Sequence, residues 1–101
     1  MFLVLWEFDV KPGCEARFES VYGPDGDWAE LFRLDPNYRE TRLLRDPART
    51  NIYLTLDFWQ SRESYANFKS LHFESYRALD ELCEGLTVDE KHIGLFEQPP
   101  P

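Results

Sequence analysis

Hydrophobic and polar residues alternate in two long stretches of this chain, and each alternation predicts a β-strand. From Ile52 to Trp59, one set of alternate positions is wholly apolar and the other set carries aromatic and polar residues. Residues 2–10 alternate in the same way, with Trp6 on the more apolar side. Weaker patterns predict two further strands, over 38–45 and near 92–96. The chain is therefore expected to supply four strands.

A long helical region is predicted directly after the strand that ends at Trp59. Ser61 is a good N-cap residue, and Glu63 stands in the first turn, where the helix dipole favours a negative charge. Apolar and aromatic side chains then recur at steps of three and four, which places them on one helix face. These residues are Tyr65, Phe68, His72, Tyr76 and Leu79.

Two shorter helices are predicted between the first two strands. One starts at about Cys14, and the other starts at Asp27, which has the spacing of a capping box with Glu30. The element order is then β-α-α-β-β-α-β, the ferredoxin-like pattern of an α+β domain, in which a four-stranded antiparallel sheet carries helices on one face. We assign residues 1–97 to this domain, and 98–101, which end in three prolines, to a disordered tail.

The predicted sheet has a second face that no helix covers. The alternation places on it Leu3, Leu5, Tyr53, Thr55 and Trp59. This face is too apolar to remain in water, so we expect a homodimer that forms through the open sheet face. Trp59 is accordingly expected in the dimer interface.

Length, charge and cysteine content narrow the range of functions. A chain of 101 residues fits one domain, and a net charge of −8 argues against nucleic acid and against an anionic membrane surface as partners. No apolar run is long enough to cross a bilayer. Two cysteines without framework spacing predict a reduced, cytoplasmic protein. No metal, flavin or nucleotide motif is present, so neither a metal nor another cofactor is expected.

Three short motifs resemble the antibiotic biosynthesis monooxygenase family of the dimeric α+β barrel superfamily. They are Asp57-Phe58-Trp59 at the end of the third strand, Ser61-Arg62-Glu63 after it, and Leu71-His72-Phe73 further along the helical region. The resemblance covers nearly the whole chain. It implies a small cofactor-independent monooxygenase-like enzyme that oxidises a hydroxylated aromatic or enol-type molecule in an apolar pocket between helices and sheet.

The resemblance also excludes one branch and leaves alternatives open. Haem-degrading relatives use Asn, Trp and His at positions that are here about Trp6, Phe68, and Arg77 or Ala78, so no haem chemistry is expected. Because a fold does not determine an activity, a non-catalytic small-molecule binding or sensing dimer is the alternative function. A pocket filled by its own aromatic side chains would leave only a stable dimer.

His72 is the candidate catalytic base, because imidazole titrates near neutral pH and this residue shares the aromatic helix face. A structural role at a helix break is the other interpretation. Pocket side chains that stack on or hydrogen-bond to an aromatic ligand would bind the substrate. The candidates are Trp6, Tyr65, Asn67, Phe68 and Tyr76. Each aromatic candidate could instead belong to the core.

Asp57 has two possible roles at the end of its strand. Burial would raise its pKa and make it a base, or an arginine would pair with it. Basic charge is concentrated in one part of this acidic chain, at Arg39, Arg42, Arg45 and Arg49. These arginines are expected to pair with Glu7, Asp9 and Asp57, or to bind an anionic substrate.

Overall fold

The predicted order of strands and helices is present in the structure, a computed structural model that describes residues 1–101. The elements are β1 (Phe2–Val10), α1 (Glu15–Tyr22), α2 (Asp27–Phe32), β2 (Tyr38–Arg45), β3 (Ile52–Trp59), α3 (Arg62–Leu71), α4 (Phe73–Cys83), a short 3-10 turn (Glu84–Leu86) and β4 (Thr87–Glu97). The strands pair antiparallel in the order β2-β3-β1-β4. This confirms the ferredoxin-like α+β fold. None of the helices combines the length and apolar character needed to span a bilayer.

The helix boundaries follow local signals in most places. The Ser61 side chain accepts a hydrogen bond from the Ser64 amide at 3.1 Å and starts α3, as predicted. The helical region breaks at His72, between α3 and α4. The capping box predicted at Asp27 does not form, because Gly26 is the N-cap of α2 and no side chain caps that helix.

Strand β4 begins at Thr87, well before the predicted start near His92. Its sequence there is polar and its residues are mostly exposed, so alternation gave no signal for this part. Pairing with β1 sets the length of β4, and the ladder runs from the Val10–Thr87 pair to the Phe2–Glu97 pair. An edge strand can carry such a polar sequence because its residues are not enclosed on both faces.

The register of β1 with β3 shows which residues face the helices. Trp59 lies opposite Phe2, and Tyr53 lies opposite Phe8, so each pair shares one face of the sheet. That face is the helix-covered inner face, where Trp59 is 0% exposed and Tyr53 is 1% exposed. The expectation that Tyr53, Thr55 and Trp59 lie on the open face was therefore wrong. Trp59 is a core residue that packs against four aromatic rings, those of Phe32, Tyr38, Tyr65 and Phe68.

The outer face of the sheet is apolar at its centre, as predicted, but several of its residues are not the ones expected there. The two central strands contribute six half-buried residues, which are Leu3, Leu5, Ile52, Leu54, Leu56 and Phe58. The Arg42 guanidinium lies over the Phe58 ring at 5.1 Å from its centroid and covers part of this face. No helix of this chain packs on these residues, since the helices cover the inner face.

Candidate active site

A cavity of about 270 Å³ lies between the inner face of the sheet and the helices. Its size is close to the lower end of small-molecule pockets, which run from roughly 300 to 1,000 Å³. Aromatic side chains from β1, α1, α2 and α4 form the apolar part of its wall. They are Trp6, Phe8, Tyr22, Trp28, Phe32 and Tyr76. A compact molecule of fused rings suits a wall of this kind, because flat aromatic faces stack on it.

Asp57 is the chemically distinctive residue of the cavity wall. The alternation of β3 turns it to the inner face, between Thr55 and Trp59. Its Oδ1 atom accepts a hydrogen bond from the Thr41 hydroxyl at 2.7 Å. Burial raises the pKa of the Asp57 carboxyl from 3.8 to about 7, and the hydrogen bond from Thr41 opposes this rise. Asp57 can therefore take up and release a proton near neutral pH.

Asp57 has no arginine partner, which corrects the expected ion pair. The four arginines point elsewhere: Arg39 donates to Gln60, Arg42 pairs with Glu40, Arg45 with Glu19, and Arg49 with Asp46. The other two acidic residues expected to pair with these arginines have different neighbours. Glu7 lies 4.0 Å from Lys91, and Asp9 accepts a hydrogen bond from Asn51.

Phenol groups near Asp57 remain hydrogen-bond donors at neutral pH. Burial raises the pKa of Tyr65 to about 12, and the charge of Asp57 adds to this rise. Burial also raises the pKa of Tyr76, with further contributions from Tyr65, Asp80 and Asp57. The Lys69 ammonium lies over both rings, 5.5 Å from the centroid of Tyr65 and 5.0 Å from that of Tyr76. Tyr76 and Lys69 line the cavity, so these two groups can stabilise negative charge that develops on a ligand oxygen.

One end of the cavity is acidic. Asp80 of α4 and Glu90 of β4 line it there, and Lys69 is the single basic residue of the wall. Burial raises the pKa of Glu90, and the carboxylates of Asp80, Asp89 and Glu84 raise it further. No ion pair neutralises Asp80 or Glu90. The cavity therefore favours a neutral ligand over an anionic one at this end.

The structure places the predicted substrate-binding residues in different settings. Trp6 and Tyr76 line the cavity. Tyr65 is half-buried beneath Lys69, outside the cavity wall. Phe68 is 0% exposed and belongs to the core, and Asn67 is exposed on α3. Periodicity correctly identified the inward stripe of α3 and α4, but it did not separate the residues that fill the core from those that face open space.

His72 lies at the junction of α3 and α4 and does not line the cavity. Its amide donates to the Phe68 carbonyl oxygen at 2.9 Å and closes α3, and its ring packs on Phe68 at 5.1 Å between centroids. The helix break places this ring against the core residue Phe68. A catalytic role for His72 stays a prediction without support from its position.

Sequence reasoning missed most of the residues that line the cavity, and Thr41 and Lys69 are the two with the clearest chemical role. Thr41 lies opposite Asp57 once β2 and β3 are in register, and that register depends on the connection between the strands. No sequence pattern gives the register of β2 with β3 directly. Lys69 could have been found, because it follows Tyr65 by four residues and precedes Tyr76 by seven, which puts all three on one face of the helical region that the sequence predicts.

Comparison with known proteins adds a family to this geometry. The profile of the antibiotic biosynthesis monooxygenase family matches residues 1–79. SnoaB, a cofactor-independent oxygenase from Streptomyces nogalater, has a similar structure, with a TM-score of 0.79 and 23% identity over 99% of this chain and 94% of that chain. No curated protein sequence matches the chain.

Two further solved structures, both described as candidate antibiotic biosynthesis monooxygenases, share the fold. The protein from Bordetella bronchiseptica has a TM-score of 0.70 at 17% identity, over 98% of this chain and 97% of that chain. The protein from Deinococcus radiodurans has a TM-score of 0.70 at 14% identity, over 100% of this chain and 95% of that chain. The family profile spans every element from β1 into α4, and the chain belongs to the antibiotic biosynthesis monooxygenase family.

Proposed function

We propose that this protein is a small monooxygenase-like enzyme that oxidises a hydroxylated aromatic or enol-type molecule with molecular oxygen and without a bound cofactor. The observation that carries the proposal is the position of the Asp57 carboxyl group on the wall of a cavity lined by aromatic side chains, where burial raises its pKa to about 7. Family membership supports the same activity, as does the likeness to SnoaB, a cofactor-independent oxygenase.

The chemistry needs a base and a site that holds the resulting anion. Asp57 removes the phenolic proton, and the electron-rich phenolate transfers an electron to oxygen. The two radicals combine to form a carbon–oxygen bond, and protonated Asp57 returns its proton to the peroxide. Loss of the hydrogen from the same ring carbon, with cleavage of the O–O bond, gives a quinone and water. Phenol plus O₂ thus becomes quinone plus H₂O, with no external reductant.

The other residues of the site bind and orient the substrate in this proposal. Trp6 and Trp28 provide faces for stacking, and Tyr76 donates a hydrogen bond to a substrate oxygen. Lys69 stabilises the phenolate by its charge. A substrate that fills the cavity displaces the water in it, which strengthens these interactions. Asp57 replaces His72 as the proposed base because Asp57 faces the cavity.

We further propose that the protein is a homodimer through the outer face of the sheet. The six apolar residues of the two central strands support this, because a continuous apolar face of this kind is rarely left in water. A stable interface buries roughly 800 Å² per partner.

The two cysteines, Cys14 and Cys83, are unpaired, which supports a reducing cytoplasmic setting.

Oxidation of 1,5-dihydroxynaphthalene would test the function, because its expected product is a coloured hydroxynaphthoquinone. The wild-type protein, without added flavin and with a chelator present, should consume one O₂ per quinone. With ¹⁸O₂, one labelled atom should enter the quinone and the other should enter water. Asp57→Asn should lower the rate by about 10²–10⁴-fold, the usual contribution of a general base.

A matched control is Asp9→Asn, the same substitution on the outer face of the sheet, which should keep the wild-type rate. If isothermal calorimetry shows that 1,5-dihydroxynaphthalene (the naphthol) binds but no oxygen is consumed, the oxygenase proposal is overturned and the non-catalytic binding role is favoured. An active Asp57→Asn variant would overturn the assignment of the base.

A further inference from the structure

A chain of two hydrogen bonds lies behind the carboxyl group of Asp57. The Tyr38 hydroxyl is 2.6 Å from Thr41 Oγ1, and Thr41 Oγ1 is 2.7 Å from Asp57 Oδ1. Thr41 and Asp57 are cross-strand partners of β2 and β3. Thr41 is 4% exposed and Tyr38 is 8% exposed, so bulk water competes little for these bonds. Thr41 also lines the cavity, whereas Tyr38 does not.

The direction of both bonds follows from the number of protons available. A threonine hydroxyl carries one hydrogen, and a carboxylate oxygen can only accept. Thr41 must therefore donate to Oδ1 of ionised Asp57, so the proton between Tyr38 and Thr41 must come from the phenol. Placing a proton on Oδ1 would weaken that oxygen as an acceptor for Thr41, or both bonds would have to reverse. Placing it on Oδ2 leaves both bonds unchanged.

Oδ2 of Asp57 is the oxygen that is open to the cavity. It accepts no hydrogen bond from the protein, in contrast to Oδ1. The buried side-chain polar atoms that lack a hydrogen-bond partner are the indole nitrogens of Trp28 and Trp59. Oδ2 also lacks a partner but is not among them, so this oxygen is not fully buried. Since Asp57 lines the cavity, Oδ2 is exposed within it.

We infer that Tyr38 and Thr41 are positioning residues that fix Oδ1 of Asp57 and reserve Oδ2 as the atom that takes the substrate proton. Aromatic packing holds the chain in place, because the Tyr38 ring lies 5.5 Å from that of Phe32 and 5.3 Å from that of Trp59. The catalytic part of this inference rests on the proposed function. The arrangement of the carboxyl group does not, and it can be tested without turnover.

Other charged and titratable groups also face this part of the cavity. They are Tyr22 from α1, Lys69 from α3, Tyr76 and Asp80 from α4, and Glu90 from β4. Tyr65 of α3 lies outside the cavity wall, but the charge of Asp57 raises its pKa. None of them hydrogen-bonds to Asp57, so a change at Thr41 alters the one direct polar contact of the carboxyl group and leaves these groups in place.

The test is a pH titration of the Asp57 carboxyl carbon, followed by ¹³C NMR in the ligand-free protein. A hydrogen bond to the ionised form lowers a carboxyl pKa. Thr41→Val keeps the shape and loses the donor, and it should raise the pKa of Asp57 by about one unit, a tenfold change in proton affinity. Thr41→Ser keeps the donor and should titrate like the wild type. Tyr38→Phe, which leaves Thr41 without its donor, should shift the pKa in the same direction by less.

The pH profile of kcat/KM for the naphthol should move with the NMR titration in each variant. An unchanged Asp57 pKa in Thr41→Val, or in Tyr38→Phe if the valine variant does not fold, would overturn the inference. The outcomes separate the two proposals. NMR shifts in a protein that does not oxidise the naphthol would support the positioning chain and refute the oxygenase. An active enzyme in which both substitutions leave the Asp57 pKa unchanged would support the oxygenase and refute the positioning chain.

Discussion

Replacing Asp57 with asparagine should stabilise the protein at neutral and alkaline pH. The pKa of this carboxyl is about 7 in the folded protein, against 3.8 for the ordinary side chain. Between these two values the folded state binds the proton more tightly than the unfolded state, so stability falls as the pH rises through this window. A difference of about three pKa units corresponds to an upper limit of about 4 kcal/mol. Water in the cavity solvates the carboxylate, so the expected loss is about 2–4 kcal/mol.

Urea unfolding at pH 4, 6 and 8, at one fixed protein concentration, measures this effect. The asparagine side chain keeps an oxygen that can accept the bond from Thr41, so the comparison isolates the charge of Asp57. The difference in free energy of unfolding between variant and wild type should grow by about 2–4 kcal/mol from pH 4 to pH 8. Asp9→Asn controls for the loss of a carboxylate elsewhere on the sheet. Parallel stability curves for wild type and Asp57→Asn would show that Asp57 titrates normally and would refute the reasoning.

Three further substitutions test the remaining assignments. Trp59→Ala should lower the free energy of unfolding by about 3–5 kcal/mol in urea titrations, as for other buried large aromatic residues; a folded monomer of unchanged stability would instead support an interface role. Leu56→Glu, at the centre of the outer face, should give a folded monomer by light scattering, and a dimer would contradict the proposed interface. His72→Ala should oxidise the naphthol within about twofold of the wild-type rate, whereas a loss typical of a general base would restore His72 as that base.

The sequence was sufficient for the elements but not for the faces of the sheet. Alternation correctly grouped Tyr53 with Trp59, because side chains two apart on a strand share a face. It could not say which group faces the helices, since both sets on β3 are rich in apolar residues. Hydrophobicity alone favours the wholly apolar set, with Leu54 and Leu56, as the core. The register of β3 with β1 pairs Tyr53 with Phe8 and Trp59 with Phe2, and these large aromatic side chains lie on the face that the helices cover.

The candidate site was accessible from sequence only in part. In the sequence alone, Asp57 is a base only if burial raises its pKa, an arginine pair is the simpler expectation, and no pattern shows that Thr41 is the partner. His72 was favoured because imidazole titrates near neutral pH, yet composition says nothing of the direction of a ring at a helix break. Tertiary contacts decide the surroundings of both residues. The register of β2 with β3 brings Thr41 to Asp57, and packing on Phe68 sets the position of the His72 ring.

The three tryptophans of this chain are divided between the cavity and the core. Trp6 and Trp28 line the cavity, whereas Trp59 is fully enclosed. The protein therefore carries its own optical probe, since a ring system that enters the cavity will quench the emission of the first two indoles at short range and affect Trp59 less. The fluorescence that survives at saturation reports the state of the core, while the part that is lost reports occupancy, so one spectrum distinguishes ligand binding from unfolding.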